Sequence, residues 1–410
     1  MPTPSWPTTP KEEEYWQNIA CKFMIPEQEI YLNTGPWGSM PRAAFETMTQ
    51  KLKELEGNPT HNRNILAKGL ENAREMLANF VQAPASDIAF LPNVTVAVNL
   101  VLHGLNWQAG DEILTSDQEY GAIENALHHA QKRWGVAIKK TQIPIPPESP
   151  SDIVEAFREN ITDNTRLLLC SHITTRTGLI TPIQALTDLA HEHGAMIAFD
   201  GTHGPGMVPL HLMNSGCDFY GGNCHKWLCA PKGTGFLYAH PKVQHKLSHT
   251  IVSWGYSLEG PQKNGEGQLT IGNRPFMWQL EHWGTRDMAS FCAVADAIAI
   301  QQEIGQDKVF SRTVQLAAYA RKQILASKQS ELRSPTHTQM SGAISTFFHS
   351  NLDPSQIPQE LYDKYRITTP IFRAPGGLDQ RVSTHIYNTF AQIDTLVDAL
   401  SQFRREFSEQ

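Results

Sequence analysis

The chain has 410 residues, 40% of them hydrophobic and 18% charged, which suits a globular protein with a sizeable core divided between two domains. A net charge of −7 argues against nucleic acid or an anionic membrane surface as a partner, and no apolar run reaches bilayer-spanning length. The opening Met1-Pro-Thr-Pro-Ser-Trp-Pro7 lacks the basic and apolar regions of a secretion signal, so cytoplasmic residence with reduced thiols is expected for the six cysteines.

In chain order, residues 1–29 read as an N-terminal arm, flexible or packed on a partner. From about residue 64 helix and strand alternate. Leu66 to Gln82 is amphipathic, Asp87-Ile-Ala-Phe-Leu91 is a short strand, and Val94 to Leu105 is a helix. Asp111 to Ser116 is a second strand, and Arg166-Leu-Leu-Leu-Cys-Ser171 is an apolar run of the kind buried in parallel sheets. Thr181-Pro182 reads as the N-cap and first residue of a helix that stops at Gly194. The strand Ala195-Met-Ile-Ala-Phe-Asp200 follows at once and ends in an aspartate. After Gly260 the texture changes. Pro261 to Gln268 is a polar loop, and a helical pattern runs from Met288 to Ile304 and, past a Gly-Gln-Asp break, to Ser327. Gly342 to Phe348 is strand-like, and a last helix starts near Gln392. The predicted architecture is α/β. A large domain over residues 30–287 carries a mainly parallel sheet covered by helices, and a smaller α+β domain over 288–410 can pack with an N-terminal segment.

The run Asn223-Cys-His-Lys-Trp-Leu-Cys-Ala-Pro-Lys-Gly233 places Lys226 after a strand, with the strand-terminal Asp200 upstream. A lysine amine and a strand-end carboxylate are what pyridoxal 5′-phosphate requires: an amine to join its aldehyde and a negative charge to keep its ring nitrogen protonated. Pro92-Asn-Val-Thr95 opens a helix, where backbone N–H groups at Val94 and Thr95 and the Thr95 hydroxyl suit a phosphate; an ordinary helix cap reads the same way. Tyr120 offers a ring to stack on the pyridine, and His203 in Asp200-Gly-Thr-His203 offers an imidazole for the phenolic oxygen. Asn223 and His225 are placed to meet phosphate and orient the lysine. Arg381 interrupts a β-like run, and a buried guanidinium there needs an anion, either a substrate carboxylate or an internal acid. Cys224, His225 and Cys229 match no common zinc spacing, so no metal is expected.

These residues, with Tyr31-Leu-Asn-Thr-Gly35, Glu119-Tyr-Gly-Ala122, Ser171 to Gly178, Gly284-Thr-Arg-Asp287 and Arg381-Val-Ser383, resemble the class V aminotransferases of fold-type I, and within them the isopenicillin N epimerase-like branch. The resemblance implies Lys226 as the aldimine lysine, Asp200 as the pyridinium partner and Tyr120 where relatives carry a stacking His. It also implies Thr175 near the phenolic oxygen, Thr285 as a phosphate contact lent to a second subunit, and Asn33 with Arg381 as contacts for a substrate carboxylate. A homodimer with a shared active site follows from that reading. The expected reaction lies at the α-carbon of an amino acid, as an epimerase or aminotransferase. A C–S β-elimination lyase is the alternative, and a non-catalytic scaffold is a further one. No cysteine follows Cys292, so desulfuration through a protein persulfide is not expected.

Overall fold

Strands without a polar face need cover on both sides, and the helices between them supply it. The computed structural model describes residues 9–408 except 255, 258, 272, 273 and 328. Seven strands form one sheet in the spatial order Ile88–Leu91, Gly235–Ala239, Phe219–Asn223, Met196–Gly201, Thr165–Ser171, Glu112–Ser116, Ala137–Thr141. Only Gly235–Ala239 runs against its neighbours in this sheet. Alternation along the strands divides the core. Leu168, Ile197 and Phe199 face Leu77, Phe157, Leu186 and Leu189 on one side. Leu167, Leu169 and Ala198 face Val98, Val101, Ile123 and Leu127 on the other.

A second, antiparallel sheet has the order Ser330–Leu332, Ile344–Ser350, Gly377–Ser383, Ile371–Ala374. The helices Gln306–Leu325 and Phe390–Ser408 cover it, Leu316 and Ile324 meeting Phe347, Val382, Leu396 and Leu400 in one cluster. The N-terminal chain is tied to this region. Ile30–Tyr31 pairs in parallel with Ile367–Thr368, and the helix Pro10–Ala20 buries Trp16 and Ile19 against Ile300, Ile304 and Tyr387. Glu13 on that helix pairs with the buried Arg312 at 2.6 Å. The first eight residues of the expected arm lie outside the described residues.

Several elements depart from the sequence reading. Residues 261–268 are not a simple loop, since Gln262–Lys263 pairs with Leu269–Ile271 in a short hairpin that Arg274–Pro275 extends. Strands of two or three residues are too short to show alternation. The helix predicted from Thr181-Pro182 spans Ile183–Glu192 with Pro182 as its cap, because the Thr181 hydroxyl donates instead to the carbonyls of Ser171 and His172. The first helix reading widens to Pro59–Val81, and the run from Met288 divides into Ala289–Cys292 and Val294–Ile304. Among the described residues no helix is long and apolar enough to cross a membrane, and no group of His, Cys, Asp or Glu is placed to hold a metal.

Candidate active site

Parallel strands bring their carboxyl ends to one edge, and the loops leaving that edge converge. Ser171 and Asp200 are register partners there, as are Asp200 and Gly221. Lys226 sits in the connection between Asn223 and Gly235. That turn is fixed by Cys224 N–H donating to Thr234 O at 3.0 Å, Cys229 N–H to Lys226 O at 3.1 Å and Gly38 N–H to His225 O at 3.0 Å. A Cβ on Gly38 would stand 1.9 Å from the Lys226 carbonyl oxygen, so only glycine lets the N-terminal segment lie across the lysine turn.

Burial brings the Lys226 amine down to about 8 against the opposing pull of Asp200, with Arg381 pushing the same way as burial. Asp200 is 3% exposed; burial raises its pKa, and Thr202 N–H at 2.9 Å and the Lys226 charge oppose the rise. His203 is buried beside them and its pKa is driven well down by burial, then by Lys226 and Arg381. Trp227 Nε1–H donates to His203 Nδ1 at 3.0 Å, which leaves the proton of the neutral ring on Nε2, 3.3 Å from the Thr175 hydroxyl. Lys226, Asp200, His203, Thr175 and Arg381 therefore share one locus.

Arg381 lies on the strand Gly377–Ser383 of the second sheet and is 5% exposed. Its Nη1 donates to Thr175 O at 2.9 Å and its Nη2 approaches Asn33 Oδ1 at 3.5 Å, while its Nε has no partner. No acidic side chain pairs with it among the described residues, which removes the internal ion pair as the reason for its burial. Burial lowers it to about 10, offset by the nearby phenols of Tyr31 and Tyr120, so it stays charged at neutral pH. Tyr120 is half exposed at the entry to the helix Gly121–Trp134. Gly35 lies against the guanidinium, where a Cβ would come within 2.9 Å of Nη2.

At the other end of the locus, Asn223 Oδ1 accepts the Val94 N–H at 2.9 Å, and Asn93 Oδ1 accepts the Val96 N–H at 3.1 Å. The Val94 N–H is thereby taken up inside the protein. Thr95 is exposed in the first turn of the same helix. His225 Nδ1–H donates to Thr234 O at 2.8 Å, leaving Nε2 as its open nitrogen, and burial holds the ring near 4 and neutral. Thr285 stands apart on an exposed turn. That turn is held by a buried ion triad: Glu281 bonds Arg74 at 2.7 Å, Arg286 at 3.0 Å and the Phe90 N–H at 2.5 Å.

Three residues were not singled out from sequence. Trp227 orients His203, and Tyr31, raised to about 12 by burial, lies close enough to act on Arg381. Glu119 receives the hydroxyls of Ser116 and Ser171 and the Ser171 N–H beside Asp200. Its position in the Glu119-Tyr120 pair was the available signal. Cys292 is buried and its thiol contacts Leu66 O at 3.4 Å, which is no place for a mobile nucleophile.

The donor set fits pyridoxal phosphate: a lysine displaced toward its neutral form, a buried carboxylate acting on it, and an unsatisfied guanidinium nearby. The family model for aminotransferase class-V matches residues 30–396. Isopenicillin N epimerase of Amycolatopsis lactamdurans is 34% identical over 95% of this chain and 99% of its own. The Streptomyces clavuligerus enzyme of the same name is 33% identical over 95% and 99%. Among solved structures, the cystine C–S lyase C-DES in complex with cysteine persulfide superposes with a TM-score of 0.81 at 21% identity, over 92% of this chain and 98% of that one. The chain belongs to the aminotransferase class-V family of pyridoxal phosphate-dependent enzymes.

Proposed function

We propose that this enzyme acts at the α-carbon of an amino acid or amino-acid-derived substrate, in the manner of an epimerase. The observation that carries the reading is Arg381, a buried charge with an open Nε and, among the described residues, no acid paired with it. Such a group costs several kcal/mol to bury unless an anion joins it, and an α-carboxylate meets the guanidinium as a planar fork. Asn33 flanks the same anion site.

Bound pyridoxal phosphate supplies an electron sink for negative charge at the α-carbon. The chain's own groups then divide the work. Lys226 Nζ, close to its titration range at neutral pH, would take the α-proton, and inversion follows when a proton is delivered to the opposite face of that carbon. Asp200 would supply negative charge to the ring nitrogen, and Tyr120 would offer its ring as a stacking partner. Thr175 and His203 would serve the phenolic oxygen. The helix start at Val94 and Thr95, with Asn223 and His225, would hold the phosphate, Val94 acting through its bond to Asn223. Thr285 would reach the phosphate of a partner subunit in a homodimer. We assign residues 30–287 to the cofactor-binding domain, 288–410 to the smaller domain and 1–29 to the arm, with the enzyme in the cytoplasm. C–S elimination is the second reading, because it needs the same lysine and anion site and no further protein nucleophile.

Incubation with a panel of amino acids in D₂O tests the reaction type. Deuterium at the α-carbon with inverted product supports epimerisation, an oxo acid supports transamination, and release of a sulfur product with pyruvate supports elimination. Failure of every amino acid to exchange its α-proton sinks the reading. Arg381→Ala should leave the cofactor spectrum unchanged yet weaken amino-acid binding. Breaking one side of a desolvated charge pair costs about 2–5 kcal/mol, roughly 30- to several-thousand-fold in affinity. Arg381→Lys should restore only part, since an ammonium lacks the planar fork. Titration with an amino acid and with its amide makes the comparison; equal binding of the acid by wild type and Arg381→Ala removes the anchor.

A further inference from the structure

Glu119 is a half-buried carboxyl near Asp200 that none of these roles uses. Glu119 follows the strand Glu112–Ser116 and precedes Tyr120. Its Oε1 accepts the Ser116 hydroxyl at 2.5 Å and the Ser171 N–H at 3.1 Å, and its Oε2 accepts the Ser171 hydroxyl at 2.7 Å. Ser171 and Asp200 are register partners on adjacent parallel strands, so their side chains leave the same face of the sheet about 5 Å apart. The two bonds to Ser171 therefore set the Glu119 carboxyl beside that of Asp200. They also tie the Tyr120 turn to the end of a neighbouring strand.

We propose that Glu119 is a positioning residue of the cofactor pocket: set beside Asp200 by Ser171, it completes a carboxyl pair whose charge the protonated ring nitrogen stabilises, so that cofactor binding releases a proton from the protein. The inference rests on the pyridoxal phosphate reading of the pocket and goes beyond it.

Two carboxyls at this separation in a buried site resist ionising together, and the one without a cation gives way. Lys226 acts on Asp200, whereas the groups acting on Glu119 include no cation among the described residues. Burial raises Glu119 to about 7, with Asp200 adding to the rise and the Ser116 and Ser171 bonds opposing it. The Cys170 thiol also feels both carboxyls, and burial keeps it protonated. Above pH 7 Glu119 already carries the charge that attracts the ring nitrogen. Below it, binding must first expel a proton, so affinity falls as the pH falls.

Pyridoxamine 5′-phosphate is the probe, because without an aldehyde it forms no bond to Lys226, and the titration of that free amine is common to the wild type and the variant. Its dissociation constant is measured by quenching of tryptophan fluorescence between about pH 6 and pH 8 on wild type and Glu119→Gln. Affinity for wild type should rise about fivefold more across this range than for the variant, as expected when binding moves the Glu119 pKa from about 7 to about 6. Glu119→Asp should restore the difference in part. Superimposable pH curves overturn the role of Glu119 while leaving the cofactor assignment standing; no binding by wild type at any pH overturns both. Should Glu119→Gln lose its near-ultraviolet circular dichroism, Ser171→Ala takes its place. Loss of that hydroxyl should move the midpoint to higher pH, and an unmoved midpoint counts against the proposal.

Discussion

Lys226→Ala is expected to abolish covalent attachment of the cofactor and to slow turnover by about 10²–10⁴-fold or more, the share a positioned acid–base group supplies. Treatment with borohydride followed by peptide mapping should find the cofactor on Lys226 in wild type and on no lysine in the variant. Lys232 is the lysine to watch. It lies in the same loop, partly buried, with its amine 2.5 Å from Gly38 O. Burial depresses its pKa as well. Only Lys226 feels Asp200 directly, so a reducible adduct at Lys232 in the variant would reassign the site. The pH dependence has a definite sign. Capture of an aldehyde needs the neutral amine, so its rate should rise with pH and level off above about 8.

Asp200→Asn should cost at least about 10²-fold in kcat, comparable to losing one preorganised electrostatic partner. The fold should survive. Asparagine is isosteric, its Oδ1 can still accept the Thr202 N–H held at 2.9 Å, and a neutral group is cheaper to bury than a carboxylate. Thermal unfolding of the apoprotein should therefore be unchanged or slightly raised while turnover collapses. Near-normal activity would transfer the role to another acid, and Glu119 is the carboxyl positioned to take it.

Lys226, Asp200 and Arg381 were legible because each is a charged residue at or inside an apolar strand pattern, where burial needs a reason. The seven-stranded sheet was legible for the same cause, since apolar runs of strand length separated by amphipathic helices leave few arrangements. The reversed direction of Gly235–Ala239 was not. Its composition is that of a parallel strand, and the direction follows from the short connection over residues 224–234, which cannot cross the sheet. Glu119 escaped notice because Ser116 is local but Ser171 comes from a distant strand. Asn223 was read as a phosphate donor, and nothing local showed that its Oδ1 also accepts a backbone N–H that lies 129 residues earlier. Pairings of this kind have no periodicity to betray them. The Thr181 hydroxyl shows the opposite error, a good local cap drawn away by two carbonyls at a strand end.

The parallel pairing of Ile30–Tyr31 with Ile367–Thr368 bears on how the enzyme is made. Asn33 emerges early in synthesis, but its seat beside Ser383 and Arg381 waits for residues about 350 positions later. Contacts of such span form late, after the local helices and the continuous sheet. A growing polypeptide that has passed residue 239 carries all seven strands and Lys226, yet lacks the proposed carboxylate anchor Arg381 until the strand Gly377–Ser383 is laid down. Translation thus orders the two halves of the proposed site in time: the strands around Lys226 come first, and Arg381 joins them only with the second sheet.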